Sequence, residues 1–575
     1  MVKARILSIG HPVIRSLFIA LVCGVTVLFV TWPLVLHLTD ALPLGTEQES
    51  TVPLFNTWTL WWVADRAGHG FEHFWQAPIF YPSEGTFTFS EPQPLTGLLV
   101  LVLWNLFDSP IAIYNLAVLL CLFLNGIFAY RLGRALQIPP VPALLGGMLM
   151  IGLPITQKLL GVLPLIPVFG MLWALEGFVR FGRNGSLRMA AWAGVGLLVQ
   201  LFTSQQLALL FGLFALPAGI LALSQQGFAP SAILKLGSMG LAVIFLTGWY
   251  AWYPFQLHQS LTFTRSDNLV AALSAHPADY FSKPLSASIA LPQKEDKNTD
   301  TGGLFPGFGL MLLAAWGAVS GLRQAETRKW TWYFLGTGFC AFMLSLGIHS
   351  PIDGGAVLAL LRDWVPGFHE LRSPFRFAIL VQISLVLLSL HGLTGQSRWP
   401  RFSLNMLAMW LMGMLVLAEN FSLPQPLATL PQPFPPPWTT WIQSHEGIRI
   451  LGHVPFPAGL HVSDYQIETE RMLAQTIHRK RLVNGYSGYF PPGYDRFQLD
   501  MAKNFPSSFL LCFLGNELKA DTLIIDHPWY KDHQDEMAQF KELSGIVYRD
   551  EEMVIIEISH TGGRCRQEEK MPNGL

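Results

Sequence analysis

The chain has 575 residues, 51% of them hydrophobic and only 13% charged. A soluble domain carries about 25% charged residues, so this deficit excludes an ordinary soluble protein and points to lipid as the solvent. A formal net charge of −1 leaves no global attraction for nucleic acid or another polyanion. The five cysteines show no Cys-x-x-Cys or Cys/His ligand spacing, which excludes a zinc motif and a disulfide framework, and a Cys512–Cys565 bridge is not expected.

A helix needs about 20 apolar residues to cross a bilayer. Along the chain such runs fall at 16–36, 110–131, 141–156, 160–181, 187–202, 207–223, 232–253, 304–322, 330–348, 375–395 and 402–419, which makes eleven expected spans. The first follows Lys3, Arg5 and Arg15 and lacks a small-residue cleavage site, so it reads as a retained helix. Alternate connections are basic: Arg131 and Arg134; Arg180, Arg183 and Arg188; Arg323, Arg328 and Lys329; Arg398 and Arg401. Positive loops face the cytoplasm, which places the N-terminus inside and the C-terminal end outside. The apolar stretch Gln93–Phe107 is too short and too Pro-bracketed for a span, and reads as a helix lying in the outer interface. Three outer segments are long, 37–109, 254–303 and 349–374, and chemistry is expected there, because loops on a rigid frame carry function.

The expected organisation is therefore a transmembrane domain over 1–422, a Pro-rich linker over 423–437, a soluble α/β domain over 438–559 and a disordered tail over 560–575. Within the soluble domain, Ile448–Val454 and Leu523–Asp526 read as strands, Glu470–His478 as a helix, and Ile546–Tyr548 with Val554–Ile558 as a hairpin.

In the first outer loop, Glu47 and Glu49 stand just past the first span, and Glu91 sits in Phe89-Ser-Glu-Pro92. A carboxylate at the membrane surface can take a proton from a hydroxyl or hold a divalent cation (Mg or Mn) against a phosphate, although loop acids are commonly only solvated. Trp58, Trp61, Trp62 and Trp75 suit either an interfacial belt or a wall on which a sugar ring stacks, and Tyr81 of Phe80-Tyr-Pro82 joins them as a substrate contact. In Pro366-Gly-Phe-His-Glu-Leu-Arg-Ser-Pro-Phe-Arg-Phe377, Arg372, Arg376 and His369 gather positive charge suited to a lipid phosphate, with snorkelling as the plainer alternative. Asp279 is a substrate contact or a loop cap. Midplane charge is nearly absent, since Glu176 and Lys235 lie near span ends, which argues against an ion-coupled carrier.

Four patches resemble bacterial GT-C type membrane glycosyltransferases, near the YfhO-like branch and more distantly the protein O-mannosyltransferase and aminoarabinose transferase relatives. They are Pro53-Leu-Phe-Asn-Thr-Trp-Thr-Leu-Trp-Trp62; Phe80-Tyr-Pro82 with Phe89-Ser-Glu-Pro92 and Ala112-Ile-Tyr-Asn115; Pro366–Phe377; and Arg481-Leu-Val-Asn-Gly-Tyr-Ser-Gly-Tyr-Phe-Pro-Pro492. The resemblance implies an α-helical polytopic GT-C-like fold in a bacterial inner membrane, with a small extracytoplasmic α/β domain. It implies a polyprenyl-phosphate sugar as donor and an extracytoplasmic glycan, lipid or protein as acceptor, joined by inverting displacement. The family's acidic residue before the Pro-Leu-Leu-Asn-like stretch falls on Val52 here, with Glu49 and Glu47 three and five residues earlier. Glu91 matches the second acidic position, and Arg372 and Arg376 match the basic pair. Two rival expectations stand: a non-catalytic scaffold that docks a partner subunit through the C-terminal domain, favoured by Val52, and a lipid-linked substrate transporter.

Overall fold

The computed structural model describes residues 12–283, 301–395, 402–430, 434–540 and 544–558. The basic residues Lys3, Arg5, Arg398 and Arg401, residues 284–300 of the second long loop, and the tail from His560 lie outside the described residues. The chain divides into two compact units.

The first unit comprises residues 1–46, 115–252 and 263–427. Each expected span coincides with a helix. Eight described helices are long and apolar enough to cross a membrane: 12–30, 110–135, 140–158, 163–184, 205–225, 230–260, 325–349 and 374–393. Two shorter apolar helices, Leu187–Thr203 and Phe308–Arg323, lie between them in the chain, and Phe402–Asn420 is also helical. The chain is thus a multi-pass membrane protein.

Prolines set several boundaries, because they remove a backbone donor and restrict the preceding residue. The first helix ends at Val30, ahead of Pro33, rather than continuing to 36. The third span is interrupted between Ile151 and Pro154. The fourth is interrupted between Leu165 and Phe169. Polar backbone exposed at such breaks must find partners away from water, and side chains of other helices supply them. Asn125 donates to the Ile166 carbonyl at 2.8 Å and accepts from the Val168 amide at 2.9 Å. Gln200 donates to Pro167 at 2.9 Å and accepts from the Met171 amide at 3.1 Å. Gln382 accepts from the Ile155 amide and donates to the Leu304 carbonyl, both at 3.1 Å. The buried Glu176 is held by Arg131 at 2.9 Å and Arg180 at 2.8 Å, which neutralises it within the unit.

The second unit comprises 47–114, 253–262 and 428–575, so the segment after the first helix and the C-terminal residues are one body. Its sheet has strands β1 (Ile450–Val454), β2 (Arg481–Leu482), β3 (Thr522–Asp526), β4 (Ser544–Arg549) and β5 (Met553–Ile558). The order is β2-β1-β3-β5-β4. β1 runs parallel to β2 and β3, while β5 is antiparallel to β3 and β4. The helix expected at 470–478 begins earlier and covers Gln466–His478. Cys512 is disulfide-bonded; Cys565 lies outside the described residues.

The stretch Gln93–Phe107 forms a six-residue helix, Pro94–Leu99, and a five-residue 3-10 turn, Leu101–Asn105. At 1.5–2 Å rise per residue, about 30 Å of hydrocarbon cannot be crossed by it. It leaves Leu98, Leu99, Val102, Leu106 and Phe107 exposed.

Candidate functional site

In the second unit the first loop forms the helix Thr51–Gly68, with residues 53–64 buried throughout. A helix apolar on every side must be enclosed, and the 466–478 helix supplies part of the enclosure. Trp58 donates from Nε1 to Gln475 Oε1 at 2.7 Å. Gln475 in turn donates to the carbonyls of Pro78 at 2.6 Å and Lys480 at 2.8 Å. Trp58 is 1% exposed, and Trp61 and Trp62 are each 5% exposed. Their rings pack among Phe55, Phe87 and one another. Neither an interfacial belt nor an open stacking wall describes Trp58 and Trp61; they are core. Trp75 is half-buried and stacks on Tyr253 at 6.1 Å.

The loop then runs along the sheet. The Leu482 amide donates to the Pro78 carbonyl at 2.9 Å, Tyr81 to Leu482 at 2.9 Å and Phe80 to Asn484 at 3.1 Å. Residues 78–81 thereby cover the free edge of β2, which would otherwise expose unpaired backbone. Further on, the Tyr489 amide donates to Phe89 at 2.9 Å. Gly485 and Gly488 allow this approach: a Cβ would stand 3.0 Å from Phe80 and 2.9 Å from the Phe89 carbonyl. Two of the patches singled out in the sequence therefore pack on each other.

Glu47 is half-buried and Glu49 exposed, both just before the N-terminus of the 51–68 helix, where the helix dipole favours negative charge. Val52 lies in the first turn. Glu91 is half-buried and leads into Gln93, a buried residue in the left-handed region at φ 48°. Gln93 donates to Asn56 Oδ1 at 2.8 Å, which ties the 91–93 turn to the same helix. Among the described residues Thr51 Oγ1, Gln93 Oε1 and Thr96 Oγ1 are buried without a hydrogen-bond partner. The sequence reading missed Glu470 of the 466–478 helix. Burial pushes its carboxyl above the usual range; the hydrogen bond from Gln466 opposes this, and the negative charge of Glu49 is among the smaller contributions that reinforce it.

In the first unit Arg372 and Arg376 are half-buried. Arg376 bonds to Gln206 Oε1 and lies 5.9 Å from the Phe375 ring centre. Lys158, 4% exposed, also lies against that ring at 5.4 Å and donates to the Gly302 carbonyl at 2.5 Å. The sequence reading overlooked Lys158; its only signal was a lone cation closing an apolar run. His369 sits 3.5 Å from Glu370. Asp279 is 8% exposed and accepts from the His276 amide at 2.8 Å, so it caps its own turn. No group of three His, Cys, Asp or Glu side chains suited to a divalent cation such as Mg or Mn occurs among the described residues.

The chain belongs to the family described as a domain of unknown function, DUF6311, whose model matches residues 20–417. No curated protein matches it. Among solved structures it is similar to the arabinofuranosyltransferase AftD from Mycobacteria, at 13% identity and a TM-score of 0.51. That match covers 94% of this chain but 40% of AftD, so the chain spans well under half of the larger protein. Lower similarity is found to the Archaeoglobus fulgidus oligosaccharyltransferase, at 12% identity, a TM-score of 0.46 and coverage of 91% and 70% of the two chains. ArnT from Cupriavidus metallidurans, bound to undecaprenyl phosphate, matches at 12% identity and a TM-score of 0.34, covering 96% and 99%. The fold is GT-C-like, and this rests on the similarity to AftD.

Proposed function

We propose that this member of the family is a membrane glycosyltransferase that moves a sugar from a polyprenyl-phosphate donor to an extracytoplasmic acceptor. The observation that carries the reading is the GT-C fold, shared with AftD along nearly the whole chain. The donor class follows from the sequence resemblance. In the proposed reaction a first-loop carboxylate, Glu49 foremost and otherwise Glu47 or Glu91, takes the proton of the acceptor hydroxyl. The acceptor oxygen forms a bond to the anomeric carbon as the bond to the donor phosphate breaks, with inversion. Charge grows on the leaving phosphate, and a cation beside it would stabilise that charge. The basic alternate loops support an N-terminus inside and a C-terminal domain outside, and the disulfide at Cys512 suits an oxidising compartment.

The test is transfer or hydrolysis of a polyprenyl-phosphate sugar by the purified chain. Glu49→Gln and Glu91→Gln are each expected to slow it at least about a hundredfold, the scale of losing a general base. Equal rates in the wild type and both variants would overturn the assignment. Val52, at the position where the resembling family carries an acid, favours a second reading as a scaffold subunit. A stable partner retained through residues 438–559, without donor turnover, would establish that reading instead.

A further inference from the structure

The second unit contains a cleft of about 800 Å³ away from the candidate acids. It opens at the amino ends of the three parallel strands. Ile448–Ile450 lead into β1, Arg479–Arg481 into β2, and Asn516, Lys519 and Asp521 precede β3; Tyr81 of the first loop closes one side. Its volume lies in the range of small-molecule sites, about 300–1,000 Å³, but those are mostly apolar. This one is lined by Arg449, Arg479, Lys480, Arg481 and Lys519 against two carboxylates, Glu446 and Asp521.

Of the two acids, Asp521 is already engaged: it accepts from the amides of Arg449 and Ile450, each at 2.9 Å, and so pins the floor of the cleft. Two of the cations are partly engaged. Arg479 lies 3.5 Å from Asp65, and Lys480 donates to the His445 carbonyl at 3.0 Å. Arg481 lies over the Tyr81 ring at 5.6 Å. The Arg449 and Lys519 side chains make no hydrogen bond or ion pair among the described residues, and both are exposed. Arg479 and Lys519 also hold left-handed backbone, φ 58° and 54°. Glycine or asparagine would take those positions at lower cost, yet long cations occupy them.

Like charges gathered around one hollow repel, and an anionic ligand relieves that repulsion with charge-assisted hydrogen bonds. A planar ring beside the guanidinium of Arg481 adds a platform for a sugar face. We infer that this cleft binds an anionic saccharide, one carrying phosphate or carboxylate groups. That this saccharide is the acceptor rests on the transferase reading above; that the cleft binds it does not.

The experiment titrates the full chain in neutral detergent with glucose 1-phosphate and with an oligogalacturonate, and reads binding calorimetrically. Maltotetraose and inorganic phosphate serve as comparisons, and nanodiscs containing phosphatidylglycerol as a membrane surface. The anionic saccharides are expected to bind at least about tenfold more tightly than maltotetraose, and to weaken as salt rises. Arg449→Glu, and separately Lys519→Gln, are expected to weaken them while leaving the unfolding temperature unchanged, since both side chains are exposed. Equal affinity for maltotetraose, or affinity unchanged in both variants, overturns the proposal. Inorganic phosphate binding as tightly as the sugars would make this a simple anion site, and binding to nanodiscs alone would make it a membrane contact; either also overturns it. No donor is present, so failure here is distinct from failure of the transferase reading.

Discussion

Arg471 is the buried cation of the C-terminal sheet domain, and its removal has a calculable consequence. It is 3% exposed. It donates to Glu468 Oε1 at 2.8 Å and to the Pro455 carbonyl at 2.8 Å, and approaches Asp526 at 3.4 Å. One side chain therefore ties the 466–478 helix to the residues at the carboxyl ends of β1 and β3. In Arg471→Met the aliphatic volume remains, but Glu468, 1% exposed, keeps only the Asn484 amide at 3.1 Å. Breaking a buried pair on one side costs about 3–5 kcal/mol. At about 1.4 kcal/mol per factor of ten, amide protection in β1 and β3 is expected to fall by about two to three and a half orders of magnitude. Native-state hydrogen exchange read by mass spectrometry measures this local opening directly.

The sign of the pH dependence follows from the carboxyls. Burial holds those of Glu468 and Asp526 above their usual values, with Arg471 pulling them back down. A raised acid contributes stability below its unfolded pKa and loses it as pH rises through the folded value. Without Arg471 both rise further, so the variant's deficit is expected to be largest near neutrality and to shrink as pH falls toward 4. Glu468→Gln with Arg471→Met should recover most of the loss. A deficit independent of pH, or one under about 1 kcal/mol, would refute the reasoning.

Gly317 sits where a Cβ would stand 1.9 Å from the Leu388 carbonyl, so the helices Phe308–Arg323 and Ala378–Gly395 meet through its missing side chain. Gly317→Ala is expected to lower the unfolding temperature in detergent by an overpacking cost of about 1–3 kcal/mol. Gly237→Ala, with nothing within 4 Å of the added atom, is expected to be neutral, and equal effects would refute the packing argument. Glu470→Gln removes a charge that burial penalises; amide protection around residue 470 is expected to exceed wild type at pH 7.5 and to match it near pH 4, and a gap unchanged by pH would refute this.

Much of the architecture was legible in the sequence because its causes are local. Long apolar runs coincide with the helices, and prolines 33, 154, 164 and 167 lie at or beside their ends and breaks. Short β-branched runs bounded by turns gave the strands and the hairpin. The short stretch 93–107 declared by its length that it does not span.

Burial against distant chain was not legible. Trp58 and Gln475 are 417 positions apart, and nothing near Trp58 announces that its indole is covered rather than offered to a sugar. Lys158 reads as a charge ending a span until Phe375 and Gly302 close over it. Asp279 reads as either a substrate contact or a loop cap, and only the structure shows the capping bond from His276. The basic cleft exists only because β2, β1 and β3 lie side by side and bring together the residues before each strand. Hydropathy and backbone sterics act between neighbours in sequence, so the sequence determined the spans and strands; which side chains share a core or a cleft is set by long-range pairing, and that only the tertiary structure decided.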